Sequence, residues 1–194
     1  MSLTNQKKKT VKKEDKIIRI DFGCGQNCSK DENGVKFTGV DKYKLPGVDV
    51  VHDLTKFPYP FKDNSVTEIV SNHFVEHLTG EEWMAHFDEC YRILIPGGKM
   101  RVVHPYCFSV RAFQDPTHKT FIPAERYYYV SKDWREANGL GHYLMKCDFE
   151  AQVYVTYHGD KGQRWDNKSS EALQFPMGHN VNVVADLIVN LTKK

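Results

Sequence analysis

Between residues 17 and 25 an apolar run, Ile17-Ile18-Arg19-Ile20, passes through Asp21 and Phe22 into Gly23-Cys24-Gly25. The β-branched isoleucines are stiff at χ1 and suit an extended, packed segment, so the run predicts a buried strand. Two glycines one residue apart then permit a turn that other residues resist, and let a ligand come close to the backbone. A strand ending in such a turn is the opening unit of an open α/β sheet. There, nucleotide-like ligands sit at the carboxyl ends of the strands, beside the point where strand order reverses.

Three residues narrow the ligand. A dinucleotide fingerprint needs a third glycine where this chain has Cys28, so the pyrophosphate reading weakens. Asp21 stands two residues before Gly23, where a carboxylate repels pyrophosphate and attracts a cationic amino-acid group. Asp41 closes the next apolar stretch, Phe37-Thr38-Gly39-Val40, sixteen residues beyond Gly25. An acid near that place takes ribose hydroxyls in nucleotide-binding βαβ units, and one carboxylate can accept from both.

I-R-I-D-F-G-C-G followed by T-G-V-D-K resembles the first two motifs of class I S-adenosylmethionine-dependent methyltransferases. V-D-V-V-H-D-L, F-P-Y-P-F-K-D-N-S-V-T-E-I-V-S-N-H-F-V-E-H-L and E-C-Y-R-I-L-I-P-G-G-K-M-R-V-V-H-P-Y extend the resemblance, to the type 11 branch, almost continuously from Ile17 to Tyr106. It implies a Rossmann-like, doubly wound α/β fold with a mostly parallel seven-stranded sheet, an antiparallel last strand, and S-adenosyl-L-methionine as cofactor. It also implies a binding set of Asp21, Phe22, Gly23, Cys24 and Gly25 at the turn, then Asp41 and Lys42, Asp53 and Leu54 at the adenine, and Asn72, His73 and His77 at the fourth strand's exit.

The chain departs from that pattern at residues 26–34, which are polar or small and offer no apolar stripe. The first crossover helix is therefore expected to be short or absent, with backbone amides near Gly23 to Asn27 serving the ligand instead. At 194 residues and net charge +2, composition fits one domain and gives no global field for nucleic acid. Residues 1–15 read as a basic disordered tail and 16–194 as a single domain with a substrate-side insert at about 105–145. The five cysteines are odd in number and include no C-x-x-C pair, so neither a disulfide framework nor a metal site is expected. With no apolar run near twenty residues and no signal-peptide pattern, the reading is a cytoplasmic protein without a membrane partner; oligomeric state is left open.

From Gly80 to Leu94 the apolar residues Trp83, Met84, Phe87, Cys90, Tyr91 and Leu94 recur at helical spacing. Pro96-Gly97-Gly98 ends that helix before a fifth strand. Residues 148–158 and 183–191 alternate as strands, with a helix over 181–191 as the competing reading of the second. His77 is either a local helix-start residue or part of the pocket. His118, in D-P-T-H-K, either contacts substrate or fixes its loop, and Tyr127, Tyr128 and Tyr129 either pack over the sheet or form a lid.

Asn72-His73-Phe74-Val75 lacks the prolines of base-methylating enzymes, so nucleic acid is not the favoured acceptor. The expected function is methyl transfer to a small molecule or saccharide, with His104, His118 and His73 as candidate bases. The alternatives are a non-catalytic cofactor-binding partner protein and a methyltransferase acting on nucleic acid or protein.

Overall fold

The computed structural model describes residues 17–158 and 168–194; the expected tail at 1–15 lies outside them. In chain order the elements are β1 Arg19–Phe22, β2 Thr38–Asp41, β3 Val50–Val51, β4 Val66–Asn72, a 3-10 turn Val75–His77, α1 Gly80–Ile93 and β5 Leu94–Pro105. There follow α2 Val110–Phe113, a 3-10 stretch Ala124–Val130, α3 Lys132–Ala137, β6 Phe149–Tyr157, α4 Ser170–His179 and β7 Val184–Lys193. They build one seven-stranded sheet of order β3-β2-β1-β4-β5-β7-β6. Strands β3 to β5 are parallel, and β7 runs antiparallel between β5 and β6.

Cross-strand register explains why this sheet manages with few helices. Ile20, Ile69, Met100 and Leu191 are successive partners across β1, β4, β5 and β7, and all four are buried. The next row along, Arg19-Glu68-Lys99-Thr192-Glu150, points to the opposite face and is polar throughout. So is most of Asp21-Val70-Arg101-Asn190-Gln152. A parallel sheet ordinarily needs cover on both faces because both are apolar. Here one face tolerates water over much of its width, and residues 23–37 cross from β1 to β2 without a helix, as the polar stretch predicts.

The apolar face is covered by α1. Thr79 caps it through a reciprocal capping box with Glu82, and Trp83, Phe87, Cys90 and Ile93 are buried beneath it. The insert lies on this side too: Tyr127 is buried, with its ring edge-on to those of Trp83 and Phe87 at 5.8 and 6.0 Å. For Tyr127, packing over the sheet is the outcome; Tyr128 stays exposed.

Two boundaries differ from expectation. The first strand begins at Arg19, leaving Ile17 exposed, and the last covers Val184–Lys193 where 183–191 was expected. Residues 184–193 form a strand because one flank pairs with β5 and the other with β6, which settles the helix alternative.

Candidate functional site

The carboxyl ends of β1, β2 and β4 open on one cleft of about 690 Å³, lined among others by Gly23, Gly25, Asp41, Lys42, Asp53, Leu54, His73 and His77. That volume suits a small ligand or cofactor. Gly23 and Gly25 both have positive φ, +70° and +52°, so the turn uses the freedom that the two glycines supply. The Asp41 carboxylate braces the corner: Oδ2 accepts the Gly25 N–H at 3.0 Å and Oδ1 the Tyr43 N–H at 2.9 Å. Asp53 accepts from the Thr55 N–H and hydroxyl at 3.0 and 2.8 Å. The Thr55 donors hold its carboxyl below the usual range, so the cleft wall is anionic there.

A hydrogen-bonded chain in the core holds Leu54 against the cleft. The Tyr59 hydroxyl donates to the Leu54 carbonyl at 2.9 Å and lies 2.7 Å from His86 Nδ1; Cys90 Sγ lies 3.6 Å from His86 Nε2. One neutral tautomer satisfies all three contacts: Nδ1–H donates to the tyrosine oxygen while Nε2 accepts from the thiol. Burial pushes the His86 imidazole down to about 3, which keeps it in that state.

Other expected residues stand elsewhere. Alternation along β1 sends Phe22 into the core against the Tyr59 and His86 rings and turns Asp21 to the opposite face. There Asp21 is buried and its Oδ2 accepts the Ser29 N–H at 2.7 Å, so it holds the loop that replaces the crossover helix and does not line the cleft. Burial raises its carboxyl, with the Ser29 hydrogen bond acting against that. Cys24 is buried beside Gly39, and Asn72 contacts Ser29 Oγ and Arg101 Nη1, both at 3.4 Å, also away from the cleft.

The three candidate bases separate as clearly. His104 is fully buried, stacked on Tyr127 at 5.8 Å, with Nδ1 at 2.9 Å from the Pro105 carbonyl; burial lowers it to about 4. It is not among the residues that line the cleft. His118 Nδ1 lies 2.8 Å from the Ala112 carbonyl, the loop-fixing role. His73 alone of the three lines the cleft. It sits at φ +52°, a backbone state uncommon for a residue with a side chain, and its Nδ1 is 3.4 Å from Glu76 Oε1.

The sequence reading passed over Glu76. Its side chain is 3% exposed, and neither carboxylate oxygen has a hydrogen bond within the described residues. Thr117 and Lys119 also line the cleft; only their place in the D-P-T-H-K stretch signalled them.

Residues 20–102 match the family described as methyltransferase domain. No curated protein matches the chain. Among solved structures, a SAM dependent methyltransferase from Archaeoglobus fulgidus superposes with TM-score 0.62 at 18% identity, covering 92% of this chain and 87% of that one. A methyltransferase from Haloferax volcanii, in complex with the Trm112 activator, gives 0.56 at 15% over 91% and 82%. The small RNA methyltransferase HEN1 gives 0.54 at 14%, over 92% of this chain and 23% of its own. At these identities the superpositions speak for the fold alone.

Proposed function

We propose that this chain, a class I S-adenosylmethionine-dependent methyltransferase, methylates an oxygen or nitrogen of a small-molecule or saccharide acceptor. The observation that carries the acceptor class is the cleft itself: one concave site joins the glycine corner and its carboxylates to a polar end formed by His73, His77, Thr117 and Lys119. In this reading Asp41 takes the ribose, Asp53 and Leu54 the adenine, and the sulfonium methyl points at the imidazole end. A lone pair on the acceptor attacks the methyl carbon. The carbon–sulfur bond breaks with its electron pair going to sulfur, which leaves as a neutral thioether.

Such a displacement asks the protein chiefly for alignment and for exclusion of water; orientation supplies about 7 to 11 kcal/mol of a barrier of this kind. A hydroxyl acceptor must also lose a proton, and His73 is the candidate placed to receive it.

Exposure of the protein and cofactor to pooled metabolites and oligosaccharides should yield products heavier by one methylene, with S-adenosylhomocysteine formed in equal amount. Label transferred only to RNA or protein would replace this reading with the macromolecular one. Asp41→Asn should weaken S-adenosylhomocysteine binding by at least about tenfold, since an amide cannot accept from two hydroxyls and brace the Gly25 and Tyr43 amides as well. Calorimetry checks this; unchanged affinity would move the ribose elsewhere.

A further inference from the structure

We propose that Glu76, His77 and His118 bind one divalent transition-metal ion at the imidazole end of the cleft, where it holds an oxygen of the acceptor. One ligand atom from each residue lies within 4.8 Å of the others, and Glu76 Oε1 stands 3.9 Å from His118 Nε2. Donors around a tetrahedral zinc ion are about 3.3 Å apart, so the set closes with sub-ångström to about 1.5 Å side-chain shifts.

Three features make this more than proximity. First, the Glu76 carboxylate is buried with no hydrogen bond to either oxygen among the described residues, an unfavourable state that a bound cation relieves. Second, both histidines have Nδ1 engaged. His118 Nδ1–H donates to the Ala112 carbonyl at 2.8 Å, leaving a lone pair on Nε2, the atom aimed at Glu76. His77 Nδ1 faces the Thr117 carbonyl and Oγ1 at 3.3 and 3.1 Å, which frees its Nε2 in the same way. Backbone and hydroxyl groups orient metal-binding imidazoles by this means. Third, the Glu76 carbonyl accepts the Lys119 and Thr120 amides at 2.9 and 3.2 Å, so the two ligand-bearing segments are tied together.

The neighbouring titratable groups are His73, 3.4 Å from Glu76, and Asp115, whose Oδ2 is 4.0 Å from His118 Nε2. Two imidazoles and one carboxylate suit zinc, cobalt or manganese better than calcium or magnesium. Three protein ligands leave a position open, and of the three residues His77 lines the cleft. The expectation of no metal rested on cysteine spacing, whereas this set draws on an E-H pair and a histidine 41 residues later.

The ion's contact with an acceptor rests on the methyltransferase reading; its binding does not. Full-length protein stripped with chelator should take up one equivalent of Co²⁺, with visible d–d absorption showing nitrogen and oxygen coordination. Glu76→Gln, which keeps the side chain's shape, and His118→Asn should each weaken uptake by about a hundredfold or more. S-adenosylhomocysteine binding, measured in chelator, should persist in all three proteins. Absence of stoichiometric Co²⁺ uptake by the wild type, or uptake retained in both variants, overturns the metal site and leaves the cofactor reading intact. Co²⁺ uptake with these dependences but without S-adenosylhomocysteine binding supports the site and counts against the methyltransferase reading instead.

Discussion

Lowering the pH from 7.5 to 5 is expected to remove about 4 kcal/mol of folding stability, roughly half through His86 and half through His104. Both imidazoles are fully buried, and burial lowers them to about 3 and about 4. In the unfolded chain each titrates near 6.5. Below that pH the unfolded state takes up a proton that the folded state refuses. Stability therefore falls as pH drops through 6.5, and goes on falling until the folded-state value is reached.

At pH 5 each histidine has crossed about 1.5 units of its window, at about 1.4 kcal/mol per unit. Two groups raised in the folded state oppose this loss: the nearby Glu76 carboxylate raises His73, whose ring is part-exposed, and burial raises Asp21. Carboxylates held low by hydrogen bonds, such as Asp53 and Glu82, add their own loss below this window.

Urea midpoints at the two pH values read the effect directly. Replacing His104 by Gln, which does not titrate, should remove about half of the pH difference. His86→Gln should remove a similar share, at a cost at neutral pH because it breaks the chain from Cys90 through Tyr59 to Leu54. A pH difference that survives in both variants would assign acid sensitivity to other groups.

These two histidines also show which information the residues carried. The α1 stripe was legible because Trp83, Phe87 and Cys90 recur at helical spacing, and the loop after β1 was legible because residues 26–34 have nothing apolar to bury. The polar outer face was not. It arises from register between Arg19, Glu68, Lys99, Thr192 and Glu150, distant residues whose alignment no local pattern expresses.

The same division runs through the site. Gly23, Gly25, Asp41, Asp53 and Leu54 follow strand ends and could be placed by motif. Asp21 and His104 belong to strands as well, but one side-chain alternation or one turn of backbone decides whether such a residue faces the ligand or the core. Glu76 gave no signal at all: its importance lies in burial without a partner, which exists only after the 115–120 segment folds over it.

Gly23→Ala and Gly25→Ala should separate the two uses of the glycine turn. At Gly23, φ is +70° and an added Cβ would lie 2.8 Å from Phe74 Cβ and 2.9 Å from its Cγ. Phe74 Cβ is fixed by its own backbone and its ring packs on His86 at 5.5 Å, so it has little room to yield. Left-handed strain of about 1 to 2 kcal/mol and overpacking of about 1 to 3 kcal/mol add to a loss of about 2 to 5 kcal/mol. In a chain of this size that is a fall in melting temperature of roughly 5 to 15 °C.

At Gly25, φ is +52° and no atom lies within 4 Å of the added Cβ. Only the left-handed strain remains, about 1 to 2 kcal/mol, and the methyl projects at a residue lining the cleft. Gly25→Ala should therefore fold nearly as well as the wild type yet bind S-adenosylhomocysteine at least about tenfold more weakly, whereas Gly23→Ala loses stability first. Thermal unfolding with and without S-adenosylhomocysteine distinguishes the pair. If Gly25→Ala is stabilised by the ligand as strongly as the wild type, the nucleoside does not lie over the Gly23–Gly25 corner, because a side chain there could not leave its contact with the backbone unchanged.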